Sequence, residues 1–295
     1  MADKVNVYQI VTDKIIGMIE TNNTVPWKKP WNCPGNIPRN LVSRKNYRGI
    51  NLWLLGCQGY ADARWGTFKQ ITEAGGTVKK DEKSSVAVFY RILQKLEKRP
   101  EGNVLKNIPL LRYYRVFNVL QCEGLKLPEV PTFEHDSNID LDSVGTQMEK
   151  PVIVRYDQTS AFYRPSTDTI HMPEQKYFEN VEEFYICKFH EMSHATGHKD
   201  RLNRPTLTTA STFGSETYNK EELVAELSAA FIAATVGIDT STIQNSASYL
   251  KGWLAALKED AKMLVQASSQ AQAAAEYILG TKAQVVETTN EDEGE

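Results

Sequence analysis

The sequence predicts an α+β chain of two domains, and three observations carry that prediction. Helical and strand-like periodicities alternate over the first 120 residues, helical patterns dominate from about residue 181 onward, and the charge divides between the halves. Residues 1–120 hold 20 Lys and Arg against 9 Asp and Glu, and the rest of the chain holds 14 against 28. The formal net charge of -3 thus conceals a basic body beside an acidic one. With 295 residues and 41% hydrophobic content, each can bury a core. The expected division is a basic domain over 1–125, a linker over 126–150, a second domain over 151–282 and a disordered acidic tail over 283–295.

In the first domain, Val7, Ile10, Val11, Ile15, Met18 and Ile19 recur at helical spacing and predict an amphipathic helix over 6–20. Pro26-Trp27-Lys28-Lys29-Pro30-Trp31 follows as a proline-stiffened extended segment. Residues 38–51 are basic and turn-like, and a helix starts near Asn51. Thr67 and the pair Gly75-Gly76 bracket a capped helix. Residues 85–91 and 109–119 read as strands, separated by a charged connector over 95–103.

Four of the five tryptophans lie in the first 65 residues, interleaved with Lys and Arg. Aromatic faces stack on unpaired bases while cations follow the phosphates, so this half has the composition of a sequence-tolerant binder of single-stranded nucleic acid. The common duplex readers are excluded, because the sequence contains no helix-turn-helix, zinc finger or basic heptad helix.

Periodicity lapses over 121–150, where Pro128, Pro131 and the acidic stretch 134–142 mark the linker. Residues 151–156, 160–165 and 168–173 then read as three short strands, the third expected at a sheet edge beside the next helix. That helix begins near Val181 and puts Ile186, His190, Ser193, His194 and Gly197 on one stripe. A polar stretch over 198–219 precedes an alanine-dense helix over 220–234, and two more helices are expected over 243–260 and 261–279.

His190-Glu191-Met192-Ser193-His194 is an HExxH pattern, the zincin motif. Two histidines four apart lie one above the other on a helix, so both imidazoles can reach one metal ion. Glu191 stands about 100° further round, placed to take a proton from water rather than to bind the ion. A catalytic zinc site needs three protein ligands, and the third decides its type. Glu222 and Glu226 offer a division of labour, Glu222 binding the metal and Glu226 accepting the N–H of a ligating histidine. Asp200 competes through HExxHxxGxxD, with Gly197 at the bend, although the only later methionine, Met263, falls inside a predicted helix rather than in a turn beneath the metal. His198 reads more simply as a charge at the helix C-terminus. Tyr218 or His198 would stabilise the oxyanion of a peptidase reaction. The expected ion is zinc, or another divalent metal such as manganese.

No run of 18 uncharged apolar residues occurs, and the opening MADKVNVYQIVTDK lacks the apolar stretch of a signal peptide. A cytoplasmic protein with no membrane partner is expected. Cys33, Cys57, Cys122 and Cys187 are scattered without a CxxC pair, so reduced thiols are expected rather than a disulfide framework.

The motifs together resemble the ArdC-type antirestriction proteins of conjugative plasmids. PWKKPW, YRGIN, WGTFKQ and GGTVKKDEKSS are similar to the family's single-stranded-DNA-binding domain, which also stands at the front of some plasmid primases. HEMSHATGHKDRLNR and EELVAE are similar to its zincin-like, gluzincin-type metallopeptidase domain, and the ExxAE within EELVAE supports Glu222 as the ligand. Asp81 stands where related sequences usually show glycine. The resemblance implies a protein that binds the incoming single strand during conjugation and protects plasmid DNA from host restriction. It carries over Trp27, Trp31, Arg39, Lys45, Tyr47, Arg48, Asn51, Trp65 and Lys69 as DNA contacts. Two other readings stand beside it: a metalloprotease coupled to DNA that acts on DNA-attached or host proteins, and a pure single-strand binder whose metal site is structural.

Overall fold

In the computed structural model, which describes residues 6–28, 37–99, 102–126, 140–208, 216–238 and 247–281, the apolar spacing near the N-terminus becomes the buried face of α1 (Val7–Asn22), formed by Val11, Ile15, Ile16 and Ile19. The Asn6 side chain accepts the Gln9 N–H, and Asn23 ends the helix at φ 51. Trp31, Cys33 and the tail over 283–295 lie outside the described residues.

The basic half continues through β1 (Arg39–Asn40), α2 (Asn51–Gly56), β2 (Arg64–Thr67), α3 (Phe68–Glu73), β3 (Thr77–Val78), β4 (Ser85–Arg99), β5 (Gly102–Asn118) and β6 (Cys122–Glu123). A four-stranded sheet has the order β1-β2-β5-β4, and β3 pairs with β6. Thr67 caps α3 reciprocally: its hydroxyl accepts the Gln70 N–H at 3.2 Å while the Gln70 side chain accepts the Thr67 N–H at 3.0 Å. Asp81 adopts φ 66, a left-handed conformation that glycine takes without a Cβ penalty.

The charged connector expected over 95–103 is not a connector. The β4–β5 ladder runs from Ser85↔Val116 out to Arg99↔Gly102. Main-chain pairing continues where the apolar alternation fades, because backbone hydrogen bonds are indifferent to side-chain charge.

The acidic half contains β7 (Ile153–Arg155), β8 (Phe162–Arg164), β9 (Thr169–His171), α4 (Val181–Thr196), α5 (Pro205–Thr208), α6 (Glu216–Val236), α7 (Ala247–Glu259) and α8 (Met263–Leu279). The strand order is β7-β9-β8, with β7 parallel and β8 antiparallel to β9. The third strand is therefore central rather than an edge, and its buried Thr169, Ile170 and His171 are those of an inner strand. Asp168 makes the preceding turn at φ 48 and anchors it by accepting from Tyr163 Oη and Arg201.

One continuous set of buried side chains joins the two halves: α1, α2 and β4 contribute to the same core as α4, α6, α7 and α8. Trp53 stacks on Phe231 with ring centroids 5.2 Å apart, and Trp27 meets Trp253 edge-on at 6.1 Å. The Thr12 hydroxyl donates to the Ala261 carbonyl at 2.8 Å, and the Gly49 N–H to Gln272 at 3.0 Å. The end of the expected linker also packs inward. Val144 and Met148 are buried, and Gly145, at φ 91, lies so close to Met192 that a Cβ there would fall 1.9 Å from the Met192 methyl. Among the described residues no helix is long and apolar enough to cross a membrane.

Candidate metal centre

Two helices build the site. Asn180 starts α4 by accepting the Glu183 N–H at 2.8 Å, and buried Phe184, Phe189, Met192 and Ala195 fix its rotation against the core. On α6, buried Ala225 and Ala229 keep side-chain bulk low where the helix packs against its neighbours. The i, i+4 histidines of α4 then face the Glu221–Glu226 turn of α6.

His190, His194 and Glu222 each offer one ligand atom, and these lie within 4.8 Å of one another. The two Nε2 atoms are 3.1 Å apart, and each lies 3.5 Å from a Glu222 carboxylate oxygen. Ligands held ~2.0–2.1 Å from a tetrahedral zinc stand roughly 3.4 Å from each other, so both the spacing and the donor set fit a divalent ion. Burial by itself would lower the His190 pKa, but the hydrogen bond to Glu222 and the charges of Glu226, Glu191 and Glu222 push it up to about 9. The surrounding carboxylates thus favour positive charge at this position, as a site for a divalent ion requires.

Glu191 is buried, and among the described residues its carboxylate makes no hydrogen bond or ion pair, acting on His190 through its charge alone. A carboxylate held there has its lone pairs available for a proton from water.

Among the described residues the carboxylate beside His194 Nδ1 is that of Glu221, where the sequence points to Glu226. Its Oε1 lies 3.3 Å from His194 Nδ1. Arg204, itself buried, pairs with both Glu221 oxygens and donates to the Ser193 carbonyl and Thr196 Oγ1 at 2.6 Å each, while the Thr206 hydroxyl also donates to Glu221. Burial would raise the Glu221 pKa, but the His194 and Arg204 hydrogen bonds and the Arg204 charge bring it down to about 2. An ionised carboxylate can only accept, so His194 Nδ1 is the donor to Glu221, and Nε2 is the ring atom turned to Glu222 and His190. Among the described residues Glu226 hydrogen-bonds to neither histidine, and it acts on His190 through its charge. The reason is helical phase: residue 221 lies about 100° behind 222, on the side where α6 meets the C-terminal end of α4.

Asp200 pairs with His198, Oδ2 to Nδ1 at 3.5 Å, and stays out of the cluster. His198 is thereby engaged away from His190 and His194. Tyr218 lies on α6, but its side chain is outside what the structure describes.

The DNA-contact candidates fare differently. Trp27 and Trp65 are only 2% and 1% exposed, so neither ring presents a face to a base; they fill cores instead. Tyr47 is buried beside Trp65. Asn51 is buried and completes the β4 edge, accepting the Val88 N–H at 2.7 Å and donating to the Val88 carbonyl at 2.8 Å. Arg48 pairs with Glu276 across the two halves. Arg39 is half-buried, and Lys45 and Lys69 are exposed.

Residues 5–117 match a family model described as the N-terminal domain of anti-restriction factor ArdC, and residues 146–270 match one described as a zincin-like metallopeptidase. Two Escherichia coli proteins named DNA primase TraC are similar, at 30% identity over 95% of this chain and 32% over 92%. The chain spans 20% and 27% of their lengths. An uncharacterized protein y4eC of Sinorhizobium fredii (strain NBRC 101917 / NGR234) is 32% identical, over 92% of this chain and 91% of its own. Crystal structures of the antirestriction ArdC protein from R388 plasmid, metal-free and Mn(II)-bound, are 33% identical and match with TM-scores of 0.70 and 0.72. Each covers 93% of this chain and 97% of that one.

Proposed function

The chain belongs to the ArdC family of antirestriction proteins, and from that membership we propose that it binds single-stranded DNA with its basic half and protects incoming plasmid DNA from host restriction during conjugation. The observation that carries the reading is the joining of that basic half to a cluster of His190, His194 and Glu222 through one shared core. Arg39, Lys45, Arg48 and Lys69 are the carried-over contacts that keep some exposure to a nucleic acid strand.

The second activity is that of a metal-dependent peptidase acting on a host protein. His190 and His194 would hold a zinc or manganese ion through Nε2, and Glu222 through a carboxylate oxygen. When bound, that ion supplies Lewis acidity to water and to a scissile carbonyl. Glu191 takes the proton from the attacking water and returns it to the leaving amine. Glu221 keeps the His194 proton on Nδ1, and Arg204 holds Glu221 in place.

The test is a metal assay on the purified protein, repeated after His190→Ala and Glu222→Ala, together with plasmid transfer into a restricting host. One divalent ion lost in both variants supports the ligand set. A Glu191→Ala variant should keep the metal and lose protection; full protection without Glu191 would mean that DNA binding alone suffices. A preference for duplex, or an affinity for single strands that barely responds to salt, would contradict the DNA part.

A further inference from the structure

The β4–β5 ribbon carries a face that the core does not use. Tyr90 and Leu111 are the last pair that still packs on the main core, and beyond them Arg91, Leu93, Leu105, Lys106, Ile108 and Pro109 are exposed. The register sets Phe89 opposite Arg112, Arg91 opposite Leu110 and Leu93 opposite Ile108. Opposed residues share a face, as do residues two apart along a strand, so these six positions and Lys106 form one stripe. The stripe mixes three cations with four apolar groups, and Glu97 stands further out on the same face. Over Ser85–Asn118 as a whole, 7 Lys and Arg face 2 Glu.

One feature of the stripe is unfavourable unless something covers it. Leu93 and Ile108 are 39% and 37% exposed although they stand directly opposite each other. Arg91, Lys106 and Arg112 are exposed cations around them, so a polyanion with apolar faces suits this surface.

We infer that this face of the ribbon is a single-strand contact of the basic half, its cations following phosphates while Phe89, Leu93, Ile108 and Leu110 lie against unpaired bases. The inference rests on the single-strand reading above. A duplex keeps its base faces stacked and would leave the apolar positions bare. The ribbon thus takes the role that the buried tryptophans cannot perform.

The experiment titrates full-length protein with labelled oligothymidylate over a range of salt. Arg91→Gln/Lys106→Gln/Arg112→Gln is compared with Lys150→Gln/Lys199→Gln/Lys251→Gln, which removes the same charge from exposed positions of the other half. Losing three phosphate contacts at about 0.7 each should flatten the slope of log K against log salt by about 2 in the ribbon variant alone. A Leu93→Ser/Ile108→Ser variant should weaken binding with the slope unchanged. All substituted side chains are solvent-facing, and an unaltered Tm verifies that each variant folds. Wild-type slope and affinity in the ribbon variant, or equal losses in both triple variants, would overturn the inference. No binding by the wild type at low salt would instead overturn the single-strand reading itself.

Discussion

Replacing Glu221 by Gln removes a charge and leaves almost the same shape, which isolates what the carboxylate does. In the native structure it neutralises buried Arg204 and accepts from His194 Nδ1. Lowering its pKa from 4.5 to about 2 corresponds to roughly 3 kcal/mol of preference for the ionised form. Orphaning the partner of a buried pair costs about 3–5 kcal/mol, so the two routes agree on the scale. Denaturant unfolding of the metal-free protein should therefore show Glu221→Gln destabilised by about 3 kcal/mol. Because the folded pKa is depressed, this stabilisation is fully present above pH 4.5 and fades as the pH falls toward 2, a decline that the variant should lack. Metal affinity should fall about 10–100-fold, as for other lost partners of ligating histidines. The pair Glu221→Leu/Arg204→Met separates the effects: with no orphaned charge, stability should largely return while metal affinity does not. Unchanged metal affinity in Glu221→Gln, with a large loss in Glu226→Gln, would refute the assignment and restore Glu226 as the orienting group.

Three further outcomes are expected. A Cβ at Gly197 would meet Arg204 Nη2 at 2.9 Å and Leu207 Cδ2 at 3.0 Å, so Gly197→Ala should cost about 1–3 kcal/mol in thermal unfolding by displacing the clamp on Glu221. Asn51→Ala strips two partners from Val88 and should destabilise by about 1–3 kcal/mol for each buried group. Its folded form should bind single strands as the wild type does, whereas a direct DNA contact would show a loss. Asp81→Gly should stabilise the protein by up to about 1 kcal/mol, because φ 66 suits glycine; a fall in Tm would contradict the reading of that turn.

Short-range pattern carried much of this in the sequence. The i, i+4 histidines, the cap at Thr67 and the helix over 6–20 depend only on residues within a turn or two of each other. The choice between Glu221 and Glu226 is different, since it depends on how α6 is rotated against α4, which no local spacing encodes. Arg204 was equally hidden: it sits in a polar stretch without periodicity and gains its role only when that stretch folds back over the end of α4. The neighbouring carboxylates of Glu221-Glu222 were the available signal, since helical phase turns adjacent side chains to different partners. The tryptophans misled because aromatic residues among lysines have the same composition whether they stack on bases or fill a core. Trp53 against Phe231 and Trp27 against Trp253 show the second outcome, which only long-range packing decides.

The tryptophan-lined junction between the halves sets what can be inherited as a piece. An insertion or exchange that moved only the basic half into another protein would expose the rings of Trp27 and Trp53, and moving only the acidic half would uncover Phe231 and Trp253. Either fragment would carry a large apolar wound. The matches to the two TraC proteins run across 95% and 92% of this chain, so in those longer proteins both halves recur together. What recurs in those proteins is therefore the pair of halves, which in this chain keeps the basic ribbon and the His190, His194 and Glu222 cluster on one shared core.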